Sequence, residues 1–484
     1  MNDKIKSYLI NAGYSICTSF YPIIDNCINW WKGKNDFHKY TVVYDDKTYS
    51  EEMYSLNMAS RIASDWASIC WSEKDEVETT DQNQNYLNDK LAELKFDKVL
   101  PSAIEKSAYS GTCAAILRVK NAKLLEDDNR IITDKFTKYD LILMRANQII
   151  PLRVEHGNII DCAFVSDSMI GDKKVYYIEI HELVKRKDKD TGEVYESYRI
   201  KNVYIDEGGK EVENEKILKE YYTNSDIPLF SILEPPMDNP YEEANGLGFP
   251  IYGNAIDQLK AVDIAYHNFV MDYYLGGKKI FYNKKLCRED GEGNVIYPTQ
   301  VAKQQFQIVG DTYENANENS LIKEYNPDLR ITDNEDGLQF FLDLLSFECH
   351  LGTKYYQFDT NEGVTATEYK GEKQDLFKNA KKYRENVDAF IENICRGILL
   401  LGRLMFGENV NENDKIEVVN SDGFLVSTED LKDQYMEEIA AGLRSKTSYL
   451  MKFYGMSEEE AKKELELINE EETNSFDLSN EEGD

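Results

Sequence analysis

The sequence GFPIYGNAIDQLKAVDIAYHNFVMDYYLGGKKIF, residues 248–281, decides the fold of this chain. After Pro250, a helical pattern runs without a breaker over residues 251–275 and closes on Gly276 and Gly277. At about 1.5 Å per residue, such a helix is roughly 37 Å long. Apolar residues lie on more than one of its sides: Ile256, Leu259, Val262, Ile264, Ala265, Phe269, Val270 and Tyr273. A helix of this kind needs cover on several sides. Its sequence neighbours supply little, which favours packing between subunits.

A small insert and a second helix follow. The insert, residues 278–332, is predicted to hold short strands, one of them Phe306 to Val309, after turn signals at Asp290-Gly291 and Gly293-Asn294. It opens with a basic island in an acidic protein: Lys278, Lys279, Lys284, Lys285 and Arg288. The second helix is predicted over residues 333–351, with Asp333 as its N-cap. Its apolar side is formed by Leu338, Phe341, Leu342, Leu345 and Phe347.

The rest of the chain is predicted to be mainly helical, apart from residues 352–363 and the C-terminal tail. Residues 352–363 break the pattern, and a very long helix follows over residues 365–406. Its apolar stripe is Val387, Phe390, Ile391, Ile394, Ile398 and Leu399. Two short helices come next, the first beginning near Thr428 and ending at Gly455, the second capped by Ser457 with Glu460. Residues 469–484 form an acidic tail that we expect to be disordered.

Upstream of residue 248 the pattern changes from helix to strand. Residues 1–125 predict mostly helix, notably Tyr54 to Ile69 and Pro101 to Ser110, which Gly111 ends, and then a strand from Ala114 to Val119. Residues 126–235 predict a sheet with one solvated face. Its clearest signals are a hairpin of Val175–Leu183 with Val194–Ile205, turning near Asp190-Thr191-Gly192, and a further turn at Glu207-Gly208-Gly209. The Pro- and Gly-rich residues 234–250 predict a boundary and a flexible approach to the helix.

Composition and charge exclude several classes of protein. The 484 residues include 89 Asp or Glu and 56 Lys or Arg, a formal net charge of −33. Proteins that coat nucleic acid gain affinity by neutralising phosphates, so this balance argues against such a role, and against docking on anionic membranes. With 42% apolar and 12% aromatic residues, the chain is not an acidic disordered one. No apolar run is long enough for a membrane span. We expect a soluble cytoplasmic protein of two to four domains, or part of an assembly made there.

No motif in the sequence predicts catalysis. The eight cysteines are scattered singly, without a C-x-x-C pair, and the five histidines show no ligand spacing. There is no G-x-S-x-G motif, and Gly246-Leu247-Gly248 lacks the spacing of a dinucleotide fingerprint. The sequence therefore predicts a protein that is not an enzyme and that has no metal site and no cofactor. A metal-dependent nuclease with dispersed acidic ligands stays open as an alternative.

The order of elements favours architecture over catalysis. If many copies stood side by side in a ring, the two helices would form a wall and the insert a protruding rim. The irregular segment at 352–363 would then point into the central hole. We therefore predict an α+β fold that assembles as a ring.

Four stretches resemble one family, the portal (head-to-tail connector) proteins of tailed bacteriophages, of the type found in siphophages of Gram-positive hosts. They are Gly248 to Lys260 (GFPIYGNAIDQLK), Tyr273 to Phe281 (YYLGGKKIF), Glu362 to Lys370 (EGVTATEYK) and Gly455 to Ala461 (GMSEEEA). The resemblance runs in order from about residue 40 to 468. Residues 1–40, with Trp30-Trp31, fall outside it.

The resemblance implies a dodecameric ring at one capsid vertex, with an α+β portal fold of long stem helices, β-rich wing and clip, and helical crown. Its parts would be the wing (1–250, with 126–235 its β-rich part), a first stem helix (251–276), the clip (277–332), a second stem helix (333–351), the tunnel loop (352–364), a long helix returning to the wing (365–408), the crown (409–468) and the tail (469–484). Such a ring conducts double-stranded DNA during packaging and ejection.

The resemblance also implies partners and contact residues. The terminase motor, which carries the ATPase chemistry, would dock at the clip and later be replaced by a head-completion or adaptor protein, while a major capsid or scaffold protein would hold the ring. The chain would be part of the virion, assembled in the host cytoplasm. The tunnel-loop residues nearest DNA would be Lys354, Tyr355, Tyr356, Gln357 and Asn361, and the basic island Lys278, Lys279, Lys284, Lys285 and Arg288 would face phosphates or an acidic partner. The alternative is another structural virion or tail component without a packaging role.

Overall fold

The computed structural model describes residues 2–44, 46–71, 76–120, 123–125, 130–132, 137–187, 192–214, 218–283, 290–292, 296, 306–309, 322–357, 374–419, 428–457 and 459–468. The chain divides into two compact units, one of residues 1–73 and 77–418 and one of residues 74–76 and 419–484. Helices and strands are both abundant, as the α+β prediction requires. Among the described residues, no helix combines the length and apolarity that a membrane span needs.

The N-terminal part is mainly helical, as predicted. It contains α1 (Asp3–Asn11), α2 (Tyr21–Trp31), β1 (Lys39–Tyr44), β2 (Lys47–Glu52), α3 (Met58–Cys70), β3 (Glu76–Glu78), α4 (Asp81–Glu93) and α5 (Phe96–Ser110). The helix predicted from Tyr54 starts only at Met58, because the segment before it is held in another conformation by contacts described below. Gly111, at φ +87°, ends α5 as predicted, but α5 begins five residues before Pro101.

Strands dominate the next part of the chain. They are β4 (Cys113–Lys120), β5 (Lys123–Leu125), β6 (Arg130–Ile132), β7 (Lys138–Arg145), β8 (Ile149–Glu155), β9 (Asn158–Ile170), β10 (Lys173–Lys187), β11 (Val194–Asp206), β12 (Glu220–Tyr222) and β13 (Phe230–Leu233). β8 to β12 form one antiparallel sheet in the order β12-β11-β10-β9-β8, and β4 pairs with β13 and β7. The predicted hairpin is confirmed as β10 and β11, although most of its tip lies outside the described residues. The turn after β11 is also confirmed, since Asp206 accepts a hydrogen bond from Gly209 N–H.

The prediction of one solvated face is wrong for the centre of this sheet. Neighbouring residues of β9 point to opposite faces, and Cys162, Ala163, Phe164 and Val165 are all buried. Ala163 and Val165 pack with Ile5 and Leu9 of α1 in a small core, whereas Cys162 and Phe164 belong to the main core. The polar alternation in the sequence could not reveal that an N-terminal helix covers the second face.

The chain around and after the opening stretch, up to residue 419, holds the next group of elements. They are α6 (Ile256–Leu275), β14 (Lys279–Asn283), β15 (Phe306–Val309), β16 (Ile322–Tyr325), α7 (Ile331–Glu348), α8 (Gln374–Leu401) and β17 (Glu417–Val419). β14 lies between a parallel β15 and an antiparallel β16, so the predicted strand at 306–309 is confirmed. All six residues of the predicted stripe on α8 are buried in the main core. A π-helical turn over Gly402–Phe406 continues α8, and residues 358–373, where its predicted start falls, lie outside the described residues.

Residues 247–252 are packed in the core. The prediction that this segment is flexible, and that the helix begins at residue 251, is therefore wrong. Leu247, Phe249, Ile251 and Tyr252 are buried. Tyr252 donates from its hydroxyl to the carbonyl of Cys27 at 2.9 Å. α6 begins five residues later than predicted, after a 3-10 turn over Gly253–Ala255. Likewise α7 begins at Ile331, so Asp333 lies in its first turn and is not its N-cap.

The second unit is a set of short helices. Two helices, α9 (Thr428–Ala440) and α10 (Lys446–Tyr454), are found where a single helix up to Gly455 was predicted. Gly442, at φ +75°, interrupts the helix between them. Tyr435, Tyr449 and Phe453 pack together, with ring centroids 4.8 Å apart for Tyr449 and Phe453. The predicted cap of the last helix, residues 459–468, is confirmed, since Ser457 N–H donates to Glu460 Oε2 at 2.9 Å. The acidic tail lies outside the described residues.

Candidate functional site

α6 is anchored to the N-terminal part of the chain through one buried carboxylate, Asp263. Its Oδ2 accepts from His38 Nε2 at 2.8 Å and from Ser55 Oγ at 2.9 Å, and its Oδ1 accepts from Leu56 N–H at 2.9 Å. Both His38 and Asp263 are almost completely buried. Because buried charges need hydrogen-bonding partners, this cluster fixes where residues 53–57 and the β1–β2 hairpin meet α6.

Aromatic side chains continue this contact toward the C-terminus of α6. Tyr54 N–H donates to His267 Nδ1 at 3.3 Å, and the rings of Tyr54 and Tyr274 stack with centroids 6.3 Å apart. The ring of Tyr40, from β1, meets His267 edge-on at 6.0 Å. On the same face of the hairpin, Val42 lies opposite Tyr49. We call this set the hairpin surface: Tyr40, Val42, Tyr49, Tyr54, His267 and Tyr274.

α7 is tied to α6 by a second carboxylate, Asp272. Arg330 donates to both of its oxygens, at 2.8 and 2.9 Å, and Asn334 Nδ2 donates to Oδ2 at 2.7 Å. These hydrogen bonds hold the pKa of Asp272 below its usual value. Helices α6 and α7 are therefore joined by apolar packing near the core and by these polar contacts at the far end.

The outer side of α7 is apolar and open. Leu338, Leu342 and Leu345 are buried, as predicted for one side of this helix. Phe347, which was predicted on that same side, is instead 58% exposed. Together with Phe340 and Leu344 it forms an outward row at helical spacing, which we call the α7 stripe: Phe340, Leu344 and Phe347.

The small sheet at the far end of the two helices carries part of the predicted basic island. Lys278 Nζ lies 2.6 Å from Glu324 Oε1 of β16, so its charge is partly neutralised within the chain. Lys279 begins β14 and is half-buried. Lys284, Lys285 and Arg288 lie outside the described residues.

The predicted tunnel-loop residues begin directly after α7. Lys354 adopts φ +61°. The Tyr356 hydroxyl donates to Asp65 Oδ2 of α3 at 2.9 Å, and its carbonyl accepts from Gln339 Nε2 at 2.8 Å. Burial raises the pKa of Tyr356. Tyr356 is thus held by its own chain, with Tyr355 packed edge-on against it and Gln357 exposed beside them. Asn361 lies outside the described residues.

A buried ionic cluster lies inside the five-stranded sheet and was missed from the sequence. Glu179 accepts from Arg118 and, at 2.9 Å, from His181 Nε2. Burial opposes ionisation of Glu179, but the His181 hydrogen bond and the Arg118 charge outweigh it and hold its pKa below the usual value. Arg118 comes from a different sheet, so no sequence spacing pointed to the group. Among the described residues, no three His, Cys, Asp or Glu side chains are placed to hold a metal ion.

Glu234 is a further titratable group, beside the buried segment at Gly248. Burial raises its pKa to about 7. Because its folded pKa lies above its unfolded value, the folded chain binds the extra proton, and stability falls as pH rises from about 4.5 to 7.

We expect Glu234→Gln, which is neutral at every pH, to stabilise the chain at pH 8 by about 1–3 kcal/mol and to change little near pH 5. Urea unfolding at both pH values measures this difference. Glu242→Gln, at an exposed position of the same loop, serves as the matched control. Parallel pH profiles for wild type and Glu234→Gln would contradict the assignment.

Comparison with known proteins gives a weak likeness. No family model matches the sequence, and no curated protein matches it significantly. Among solved structures the chain is similar to one from the virion of a native gene transfer agent (GTA) particle, at a TM-score of 0.42 and 9% identity over 94% of this chain and 98% of that one. It is also similar to a chain from the neck of an empty GTA particle computed with C6 symmetry, at a TM-score of 0.41 and 10% identity over 91% and 96%. At such TM-scores and identities, the likeness by itself assigns neither a family nor a function to this chain.

Proposed function

We propose that this chain is the subunit of a portal ring: a conduit, without enzymatic activity, through which double-stranded DNA enters and leaves a phage-type capsid at one vertex. The observation that carries the proposal is the open apolar surface of the α6–α7 pair. Tyr274 is 69% exposed and Phe340 is 59% exposed, although both helices belong to the same packed unit. Apolar surface of this extent on adjacent helices marks a contact with other chains.

The order of the parts supports the same proposal. Two helices joined at one end by a small three-stranded sheet give a wall with a rim, which is the arrangement that the portal resemblance implies. In this assignment residues 251–276 and 333–351 form the stem, 277–332 the clip, 352–364 the tunnel loop, 1–250 with 365–408 the wing, and 409–468 the crown. The clip would receive the terminase motor and later a head-completion adaptor, and a capsid or scaffold protein would surround the ring.

The charge of the chain suits a conduit. Twelve copies at −33 each would carry roughly −400, which repels a duplex and keeps it from adhering to the wall. At 0.1 M salt that field is screened within about 10 Å. The positions proposed for DNA contact are then the few cations near the passage, Lys278, Lys279 and Lys354, with Lys284, Lys285 and Arg288.

Electron microscopy of the purified chain tests the proposal. We expect rings of about a dozen subunits with a hole wide enough for a duplex. Monomers or dimers at micromolar concentration would contradict it. Disruption of the gene should give empty or absent heads, whereas heads filled with DNA would favour a tail component. Cleavage of plasmid DNA on addition of Mg²⁺ would favour a nuclease.

A further inference from the structure

Apart from the ring contact of Tyr40 with His267, the β1–β2 hairpin is open to solvent in the described part of its own chain. It is a separate two-stranded sheet, and every described side chain of β2 is exposed. Isolated two-stranded hairpins are marginally stable in water. Its apolar face nevertheless includes Val42, at 41% exposure, and Tyr49, at 45%. That face continues through Tyr40 onto α6, which makes the hairpin surface one connected patch.

The α7 stripe is the second open apolar patch, and its electrostatic setting differs. α7 contains five carboxylates and no lysine or arginine: Asp333, Glu335, Asp336, Asp343 and Glu348. On α6 each carboxylate has a cationic or histidine partner, since Asp257 pairs with Lys260, Asp263 with His38 and Asp272 with Arg330. The hairpin surface therefore adjoins a charge-balanced helix, whereas the α7 stripe lies on an acidic one.

We propose that the hairpin surface of one copy packs on the α7 stripe of the next copy, so that the β1–β2 hairpin acts as an arm that reaches across each subunit boundary. Two different patches of one chain then meet, which is the head-to-tail arrangement that closes into rings. The inference rests on the proposed ring and assigns the contact within it.

The charge pattern favours this pairing over a symmetric one. Two α7 stripes facing each other across a two-fold axis would bring together the carboxylates beside each stripe without a lysine or arginine from either helix, and like charges across an interface oppose association. Against the hairpin surface, the same carboxylates meet aromatic side chains, Val42 and His267, and the single carboxylate on that face of the described hairpin, Glu51, is accompanied by Lys47. A second copy of this chain is therefore the occupant that fits both patches.

Two variants with one defective patch each test the pairing. One is Val42→Ser with Tyr274→Ser, and the other is Phe340→Ser with Phe347→Ser. All four side chains are exposed, so each chain should keep the circular dichroism spectrum of the wild type and the thermal midpoint of dissociated wild-type subunits. We expect each variant alone to associate at least about thirtyfold more weakly than the wild type, the size of effect seen when interface anchors are truncated. Val194→Ser, at an exposed valine of β11, is the control and should form rings normally.

Mixing the two defective variants gives the decisive result. Each retains the patch that the other lacks, so a one-to-one mixture should form a heterodimer and stop there, with a mass of about twice 56.0 kDa in analytical ultracentrifugation. The proposal is overturned if either variant alone still forms rings or dimers at the lowest concentration at which the wild type is fully assembled, or if the mixture stays monomeric there. If the wild type forms no ring at all, that result contradicts the proposed function itself, and with it the contact that rests on the ring.

Hydrogen exchange on the unmodified protein tests independently whether the β1–β2 hairpin becomes covered on assembly. Amides of residues 39–52 should exchange more slowly in the assembled ring than in dissociated subunits. Unchanged exchange of this segment on assembly would also overturn the inference, even if the rings themselves are observed.

Discussion

Asp263→Ala should lower the free energy of unfolding by about 3–5 kcal/mol, the cost of leaving one partner of a buried pair alone. The substitution leaves His38 buried without its carboxylate and removes the acceptor of Ser55 Oγ and of Leu56 N–H. Urea unfolding at a fixed protein concentration measures the loss, since assembly would make the midpoint depend on concentration.

Two further variants decide whether the effect comes from this cluster. Asp257→Ala lies on the same helix, but its carboxylate is exposed and pairs with Lys260 at the surface, so we expect a change within about 0.5 kcal/mol. In a double-mutant cycle, Asp263→Ala and His38→Ala should be strongly non-additive. Additive losses, or a cost of Asp263→Ala below about 1 kcal/mol, would show that the cluster does not anchor α6.

Gly248→Ala should be the second large perturbation, destabilising the chain by about 3 kcal/mol or more. A Cβ at this position would lie 2.4 Å from the carbonyl oxygen of Gly111 and 2.9 Å from Glu234 Cβ. The neighbouring backbone is also fixed, because Gly248 N–H donates to the buried Thr112 Oγ1 at 2.9 Å. Neither chain segment can move aside without breaking core contacts. Thermal and urea unfolding measure the loss.

The same substitution at Gly337 provides a control of opposite sign. Gly337 lies within α7, and nothing in the described residues is within 4 Å of an added Cβ. Since glycine disfavours a helix interior, Gly337→Ala should stabilise by about 0.5–1 kcal/mol. Equal effects of the two substitutions would contradict the close packing of Gly248 against Gly111.

Much of the local structure could be predicted from the sequence, because periodicity is a local property. The strand at 306–309, the β10–β11 hairpin, the glycine end of α5 and the apolar stripe of α8 were predicted from spacing and turn residues. Errors concentrate at helix starts. α3 and α6 both begin later than predicted, because tertiary hydrogen bonds hold Leu56 and Tyr252 outside the helix.

For the candidate site, too, the local elements could be predicted from the sequence and the contacts between distant segments could not. The sequence predicted α6, α7 and the strand between them, and the resemblance supplied their order as a stem and clip. The sequence did not predict the hairpin surface, since Tyr54 meets Tyr274, which lies 220 positions further along the chain, and Tyr40 meets His267 of the same distant helix. The predicted roles of the basic island and tunnel loop remain predictions, and Tyr356 is already engaged by Asp65.

The amino-acid sequence by itself determined the acidic character of the chain, the periods of its helices and strands, and the ordered motifs that suggest a portal. Only the tertiary structure decided which apolar residues are covered and which are left open. Helical spacing placed Phe347 with the leucines of α7, yet it is exposed, whereas Gly248 and His38 are packed in the interior. The physical reason is that burial depends on which distant segments arrive at a surface, and local spacing carries no record of those segments.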